Sequence, residues 1–427
     1  MSRWLVVTLA AATTVACGTA GVVQTALHGD LAQLKRKISE GQQKGALDRS
    51  TTLQLATAVA GRELRSSKGP AAAARVDALR ACAGSLESVL RDRASQPDDV
   101  GAQATLMLLE LGKLDRPDLV ARYPEASNGA WRAVAARAAT GPRDGRLRRR
   151  FIGDGDQRVR KAALQASLES KDAADLDPLL EAARLDPDPL LRSLAVRAVG
   201  AIGGQRAVLA LKDLWAQSDG TTRETIVDAW AMPALYRAGG ARELRTIAES
   251  GGSLAAIAAA VQLSRKSGED AALGATFLAR AIKEGTQTER RVAIQLAPVT
   301  DPDVQKALSE ATRDADPDVK VMALARSLGV PAAHADVKRQ LEKLARGKDR
   351  VAVQARAALA AAHDGSVSRE LLHQLASRSP EERRLAALAL IRLGNYSRAA
   401  TALADDDPDV RASTACSMIA AAHRREH

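Results

Sequence analysis

One pattern recurs along most of this chain at a step near 31 residues, and it limits the fold more than any other feature. An apolar residue is followed by a basic one, two variable positions, an Ala and further apolar positions. The clearest copies start at Val159, Leu191, Val319, Glu382 and Val410, and weaker ones at Trp131, Thr222 and Glu289. Indexed by their second position, twelve copies run from 72 to 411, so the eleven steps average 30.8 residues. Eight index positions are basic: Arg132, Arg160, Arg192, Arg223, Arg290, Lys320, Arg383 and Arg411. Three residues later nine of the twelve are Ala, which marks a position that must stay small.

Within a copy the apolar positions fall at i, i+4, i+5 and i+9, as in Val319, Ala323, Leu324 and Leu328. That spacing makes one stripe of an α-helix and not the alternation of a strand. A small side chain on the packed stripe lets a neighbouring helix come to about 8 Å rather than 10 Å. Helix starts are explicit at Asp186-Pro187-Asp188, Asp316-Pro317-Asp318, Asp407-Pro408-Asp409 and Ser379-Pro380-Glu381. The first residue is suited to cap the free amides, the Pro to the first helical position and the next carboxylate to the positive end of the helix dipole. Gly112, Gly203, Gly329 and Gly394 each follow an apolar run and read as C-terminal stops. A second, more variable helix lies between copies, as at 176–185, 207–217, 303–313, 336–346 and 368–377. Two helices per repeat of about 31 residues predict an all-α fold, an α-solenoid of stacked helix hairpins.

Composition agrees with thin helical layers. Only 2% of the 427 residues are aromatic, although 46% are hydrophobic, so Ala, Leu and Val must form the interior. Trp131, Trp215 and Trp230 fall on apolar helix stripes and read as core. Three Cys exclude a disulfide-rich scaffold and a multi-Cys zinc site. Cys82 and Cys416 lie at opposite ends of the array. In an extended solenoid they would stay beyond the ~5.5 Å Cα separation of a disulfide, so both read as small buried apolar residues.

The N-terminus reads differently. Arg3 precedes an uncharged run from Leu5 to Ala16, too short to span a bilayer and followed by Cys17. This is secretory signal-peptide grammar. Its end, Thr14-Val15-Ala16-Cys17, resembles a bacterial lipobox, which implies a lipid on Cys17. The alternative is an ordinary cleaved leader with Cys17 incidental. By resemblance to the enterobacterial sorting rule, Gly18 after the Cys implies the outer membrane rather than the inner, on the periplasmic side of the cell envelope.

The motif DPDV followed by Arg or Lys, with a paired helix every 31 residues or so, resembles the HEAT repeat, in the short form seen in phycobilisome lyases and other bacterial proteins. The resemblance covers residues 67–427. It implies a HEAT-like superhelix in which Asp188/Arg192, Asp318/Lys320 and Asp409/Arg411 bridge adjacent units. Residues 18–66 stand apart as an N-terminal helical cap. Within it TALHGDLAQLKRKISEG resembles the helix pair of one ankyrin unit, with Gly29-Asp30 in the turn and Gly41 closing.

Candidate chemistry is sparse. None of the six His stands in an H-E-x-x-H or His-Glu pair, which argues against the iron-dependent deoxyhypusine hydroxylases that the repeat otherwise resembles. His423 and His427 have metal-ligand spacing but sit at a terminus. Asp314/Asp316/Asp318 and Asp405/Asp407/Asp409 lack the Gly and Glu of a calcium loop, and capping explains them better. No phosphate-binding, dinucleotide-binding or nucleophile-elbow motif occurs, so no catalytic residue, metal or cofactor is assigned. Net charge is +11, and its local excess is Arg143, Arg146, Arg148, Arg149, Arg150 and Arg158. This run is either a solvated helix face or a patch for an anionic protein face, polysaccharide or lipid headgroup. The expected function is a non-enzymatic scaffold for a protein partner, exported and held at a membrane through Cys17. A basic nucleic-acid binder is the first alternative and a lyase-type enzyme the second.

Overall fold

The computed structural model describes residues 21–28, 30–66 and 76–423. The leader with Cys17, the repeat copy indexed at 72 and His427 lie outside these residues. The described residues are helices joined by turns, without a strand. The chain is an all-α solenoid of stacked helices. Its contacts divide into two units, one made of Met1–Leu114 with Glu342–His427 and the other of Asp115–Leu341.

In the second unit the repeat helices are Gly129–Ala138, Gln157–Ser170, Pro189–Ile202, Gly220–Trp230, Leu254–Ser264, Gln287–Leu296 and Pro317–Ser327. Each packs against the next in that order, and the variable helices, such as Leu176–Leu185 and Gln205–Ala216, fill the spaces between. The recurring Ala faces the stack. Ala135, Ala163, Ala195, Ala293 and Ala323 are fully buried in one continuous apolar core, and Ala258 is half-buried against it. Trp131 and Trp230 are buried in the stack too, and Trp215 lies 5.7 Å from Trp230, centroid to centroid.

Helix starts follow the predicted chemistry with one shift of register. Asp316 accepts from the Val319 N–H at 2.9 Å, Ser379 from the Glu382 N–H at 3.4 Å and Asp407 from the Asp409 and Val410 N–H groups. At 186–190, however, the helix begins at Pro189, and Asp188 rather than Asp186 is the cap. Two Asp-Pro steps stand in a row there, and pattern alone could not choose between them. Gly112, Gly203 and Gly394 adopt the left-handed backbone of a helix stop, whereas Gly329 does not. Gly41 does not close its helix, which runs from Leu31 to Gln43; its missing side chain instead admits Leu47, whose Cγ would lie 2.9 Å from an added Cβ.

The first unit overturns the expectation for the cysteines. Its last helix, Pro408–His423, packs against Arg49–Ser66 near the start of the chain. Arg411 donates to Glu63 at 2.8 Å, Lys35 pairs with Asp406 at 2.7 Å, and the Gln42 side chain reaches the Ser397 carbonyl at 2.6 Å. Cys82 and Cys416 are thereby brought to a Cα separation of 5.2 Å and form a disulfide across 334 residues of sequence. They are buried, as expected, but they are not inert. The premise that failed was that the two ends of a repeat array stay apart.

One glycine tests the closeness of the stack. A Cβ on Gly274, in the helix Glu269–Glu284, would lie 2.4 Å from the Ser264 nitrogen and 2.5 Å from the Ala260 oxygen. Both are backbone atoms, so neither can turn aside. Ala is the better helix former by about 0.8–1 kcal/mol, yet the overlap should cost about 1–3 kcal/mol. Urea denaturation of Gly274→Ala should therefore show a net loss of stability; a gain would mean that the helices stand further apart.

Candidate interaction surface

The arginines that open the repeats work inside the fold. Arg132 places its guanidinium on the Asp154 carboxylate at 3.0 Å, Arg160 on Asp186 at 2.8 Å and Arg383 on Asp405 at 2.7 Å. Each uses two nitrogens, the forked geometry that only arginine offers. Arg290 also pairs with Asp314, its Nε at 3.1 Å and one Nη at 3.3 Å. The remaining nitrogen turns back to a carbonyl of the arginine's own turn, six residues upstream. Arg132 binds the Ala126 oxygen, Arg160 that of Asp154, Arg192 that of Asp186 and Arg383 that of Ser377. The receiving Asp also accepts an N–H two residues on, as Asp154 does from Asp156, Asp186 from Asp188 and Asp405 from Asp407. One arginine thus ties its own turn to the turn of the next repeat.

The bridging pairs implied by the family resemblance need correction. Asp186, not Asp188, receives the arginine, and it comes from the preceding repeat. Asp318 does bridge, to Arg291 at 2.8 Å, but Lys320 is not its partner. Arg411 pairs with Glu63 rather than with Asp409.

Burial is the largest single effect on the Asp154 and Asp405 carboxyls and raises them, but the arginine hydrogen bonds, the backbone N–H groups of Asp156 and Asp407 and the arginine charge together hold both below the ordinary value. A carboxylate depressed on folding contributes stability that is complete above about pH 4 and is lost as pH falls through its folded value. The Arg132–Asp154 and Arg383–Asp405 rungs are therefore at full strength at neutral pH.

The six arginines of the candidate patch do not form one free basic face. Arg148 is fully buried, with Asp175 at 2.5 Å, Asp172 at 2.9 Å and the Ala139 carbonyl at 3.0 Å. Ser167 donates to the same Asp175, which is also fully buried. Arg149 shares Asp175 at 3.2 Å, Arg150 pairs with Glu125 at 2.7 Å and Arg158 with Asp156 at 2.8 Å. Arg143 and Arg146 are exposed and outside these pairs. In the helix Gly145–Ile152 the sequence shows a cluster of charge; the carboxylates that neutralise it are 23 to 27 residues away and belong to other elements.

Apolar side chains are exposed close by. Leu185 and Leu190 flank the turn at Asp186 with 72% and 77% of their surface in solvent, and Leu209 on the helix Gln205–Ala216 is exposed too. The ladder lapses further along, where the turn is Gly251-Gly252-Ser253 and carries no Asp. A cavity of about 370 Å³ opens beside that turn, with Phe277 and Ile257 in its wall and Glu249, Arg280 and Glu284 in its lining. A second hollow of about 510 Å³ lies in the first unit along Leu53, Thr57 and Gly61.

Tyr236 donates to Asp270, which also takes Arg245 at 2.5 Å. Burial and that carboxylate push the phenol up to about 12, so it serves as a donor and not as a base at neutral pH. No group of three or more metal-ligating side chains occurs among the described residues. No described helix is long and apolar enough to cross a membrane.

Residues 146–231 match the family described as HEAT repeats. This segment is a run of HEAT repeats. It holds the Arg160–Asp186 rung of the ladder, the buried Arg148 and the exposed Leu185, Leu190 and Leu209. No curated protein matches the sequence. Among solved structures, an engineered protein is similar over 74% of this chain and 98% of its own, with 19% identity and a TM-score of 0.29. Escherichia coli YibA is similar over 73% and 95%, with 15% identity and a TM-score of 0.24. A Kap121p mutant is similar over 88% of this chain and 47% of its own, with 11% identity and a TM-score of 0.31.

Breaking a buried pair from one side leaves a charge without a partner, which costs about 3–5 kcal/mol. Arg148→Met should destabilise the protein by that order in thermal or urea unfolding. Arg143→Glu and Arg146→Glu should stay within about 0.5 kcal/mol of the parent. Equal effects would return Arg148 to the surface.

Proposed function

We propose that this chain is a non-enzymatic scaffold that binds a protein partner through the surface of its HEAT repeats, exported and held at a membrane through a lipid on Cys17. The observation that carries the reading is the contrast on residues 146–231. There the arginines are largely neutralised within the fold, whereas Leu185, Leu190 and Leu209 stand in solvent. A surface of that kind suits apolar contact with another protein and gives little to a polyanion. Arg143 and Arg146 supply a basic rim.

Two features support export. The leader has the charge, apolar length and terminal Cys of a lipoprotein signal. Independently, the Cys82–Cys416 bond belongs to an oxidising compartment and is rare in a reducing cytosol. The nucleic-acid reading would need the free basic face that Arg148, Arg149, Arg150 and Arg158 do not provide.

The test is crosslinking and capture from whole cells, with the captured protein's mature N-terminus measured by mass spectrometry. Leu185→Ser with Leu190→Ser should lower partner recovery at least tenfold while the protein stays folded by circular dichroism. Cys17→Ser should release it from the membrane fraction. Unchanged recovery would reject the leucine surface, and an intact Met1 in the cytosol would reject export.

A further inference from the structure

The meeting of the two chain ends does more than complete the first unit. Every rung of the arginine ladder runs from one repeat to the turn of the next, and Arg411 opens the last of the indexed copies. It finds its carboxylate in Glu63, 348 residues earlier, at 2.8 Å. Glu63 and Arg411 are both buried, and Arg411 also holds the Asp405 and Asp406 carbonyls at 2.7 Å and 3.1 Å. The helix Arg49–Ser66 thus stands where a further repeat would stand. Five residues beyond Arg411, on the same helix, Cys416 meets Cys82.

We infer that Cys82 and Cys416 form a reversible redox latch, which ties the last repeat to the segment Arg80–Leu86 when oxidised and lets the seam open when reduced. The decisive feature is the Leu79 carbonyl. Its oxygen lies 3.2 Å from the Cys82 sulfur and 3.6 Å from the Cys416 sulfur. As thiols, both sulfurs have this oxygen as an acceptor, so reduction leaves no buried S–H without a partner. On reduction the two sulfurs must part from bonding to van der Waals separation, and the Leu79 carbonyl beside both of them is the acceptor that this small shift can keep.

What changes is the constraint. Oxidised, the seam is covalent across 334 residues of sequence. Reduced, it rests on noncovalent contacts, Glu63–Arg411, Lys35–Asp406, Gln42 and Arg49 over the Tyr396 ring among them, so it opens more often. The chemistry is thiol–disulfide exchange with a dithiol. The reductant's two thiols become its own disulfide while the Cys82–Cys416 bond takes up two electrons and two protons and becomes two thiols. Both cysteines are only 3% exposed, so the attacking thiolate reaches sulfur only after the seam parts. Glu63 is then a positioning residue for the latch, since it holds the seam shut over the bond. The latch adds a chemical event to the export reading, but its test in solution stands whatever the compartment.

The full chain purified from an oxidising compartment is digested without reduction, and a peptide linking Cys82 to Cys416 is sought by mass spectrometry. Hydrogen exchange is then followed before dithiothreitol, after it, and after reoxidation with oxidised glutathione. Reduction should speed exchange at least tenfold in residues 49–66 and 408–423, leave 189–202 unchanged and reverse on reoxidation. Cys82→Ser with Cys416→Ser should show the reduced pattern with or without dithiothreitol. Glu63→Gln should speed reduction at least fivefold. Two free thiols in the oxidised preparation, equal exchange in both states, or a seam that does not re-form would overturn the latch. Should the double variant fail to fold, the reduction and reoxidation cycle of the parent still decides.

Discussion

The bidentate hold of an arginine on the aspartate of the next turn is the interaction on which the rest of this structure depends. A stack of Ala-faced helices has no thick core to fix the offset between neighbours, because Ala offers little side-chain bulk to interlock. The offset is set at the turns. Arg132, Arg160 and Arg383 each hold the next repeat's first Asp with two nitrogens and a carbonyl of their own turn with a third. That Asp in turn accepts the N–H of the residue two on, which itself caps the following helix. Where the turn has Gly251 and Gly252 instead, the rung is missing and a cavity takes its place.

The same constraint explains what the sequence made legible. The repeat step, the helix starts at Pro317, Pro380 and Pro408 and the buried Ala positions are local patterns, and a helix obeys local rules. Asp188 as the cap at Pro189 was the exception, because a doubled Asp-Pro satisfies the same local rule at two registers. What stayed hidden was pairing across turns. The run Gly145–Ile152 reads as a basic face because nothing within it tells that Asp172 and Asp175 lie over Arg148. The reading of the resemblance chose Asp188 as the bridge, when the geometry chose Asp186.

The cysteines show a longer-range version of that limit. Their sequence separation of 334 residues argues against pairing only if the chain ends stay apart. Arg411 carried a usable clue. The copy at Val410 keeps its arginine, and an arginine at this position reaches for a carboxylate outside its own repeat. Glu63 in the cap is that carboxylate. Charge neutralised within the fold, apolar side chains exposed on residues 146–231 and a covalent tie within the first unit together describe a helical-repeat framework that presents a surface.

A double-mutant cycle at Arg160 and Asp186 tests the ladder most directly. Stability is measured for the parent, Arg160→Met, Asp186→Asn and the double variant. Residues that share one buried network should couple, here by about 1–3 kcal/mol, with the double variant less destabilised than the sum of the single ones. Effects that add to within about 0.3–0.5 kcal/mol would mean that the arginine and the aspartate act independently, and that the stack is held by its helices alone.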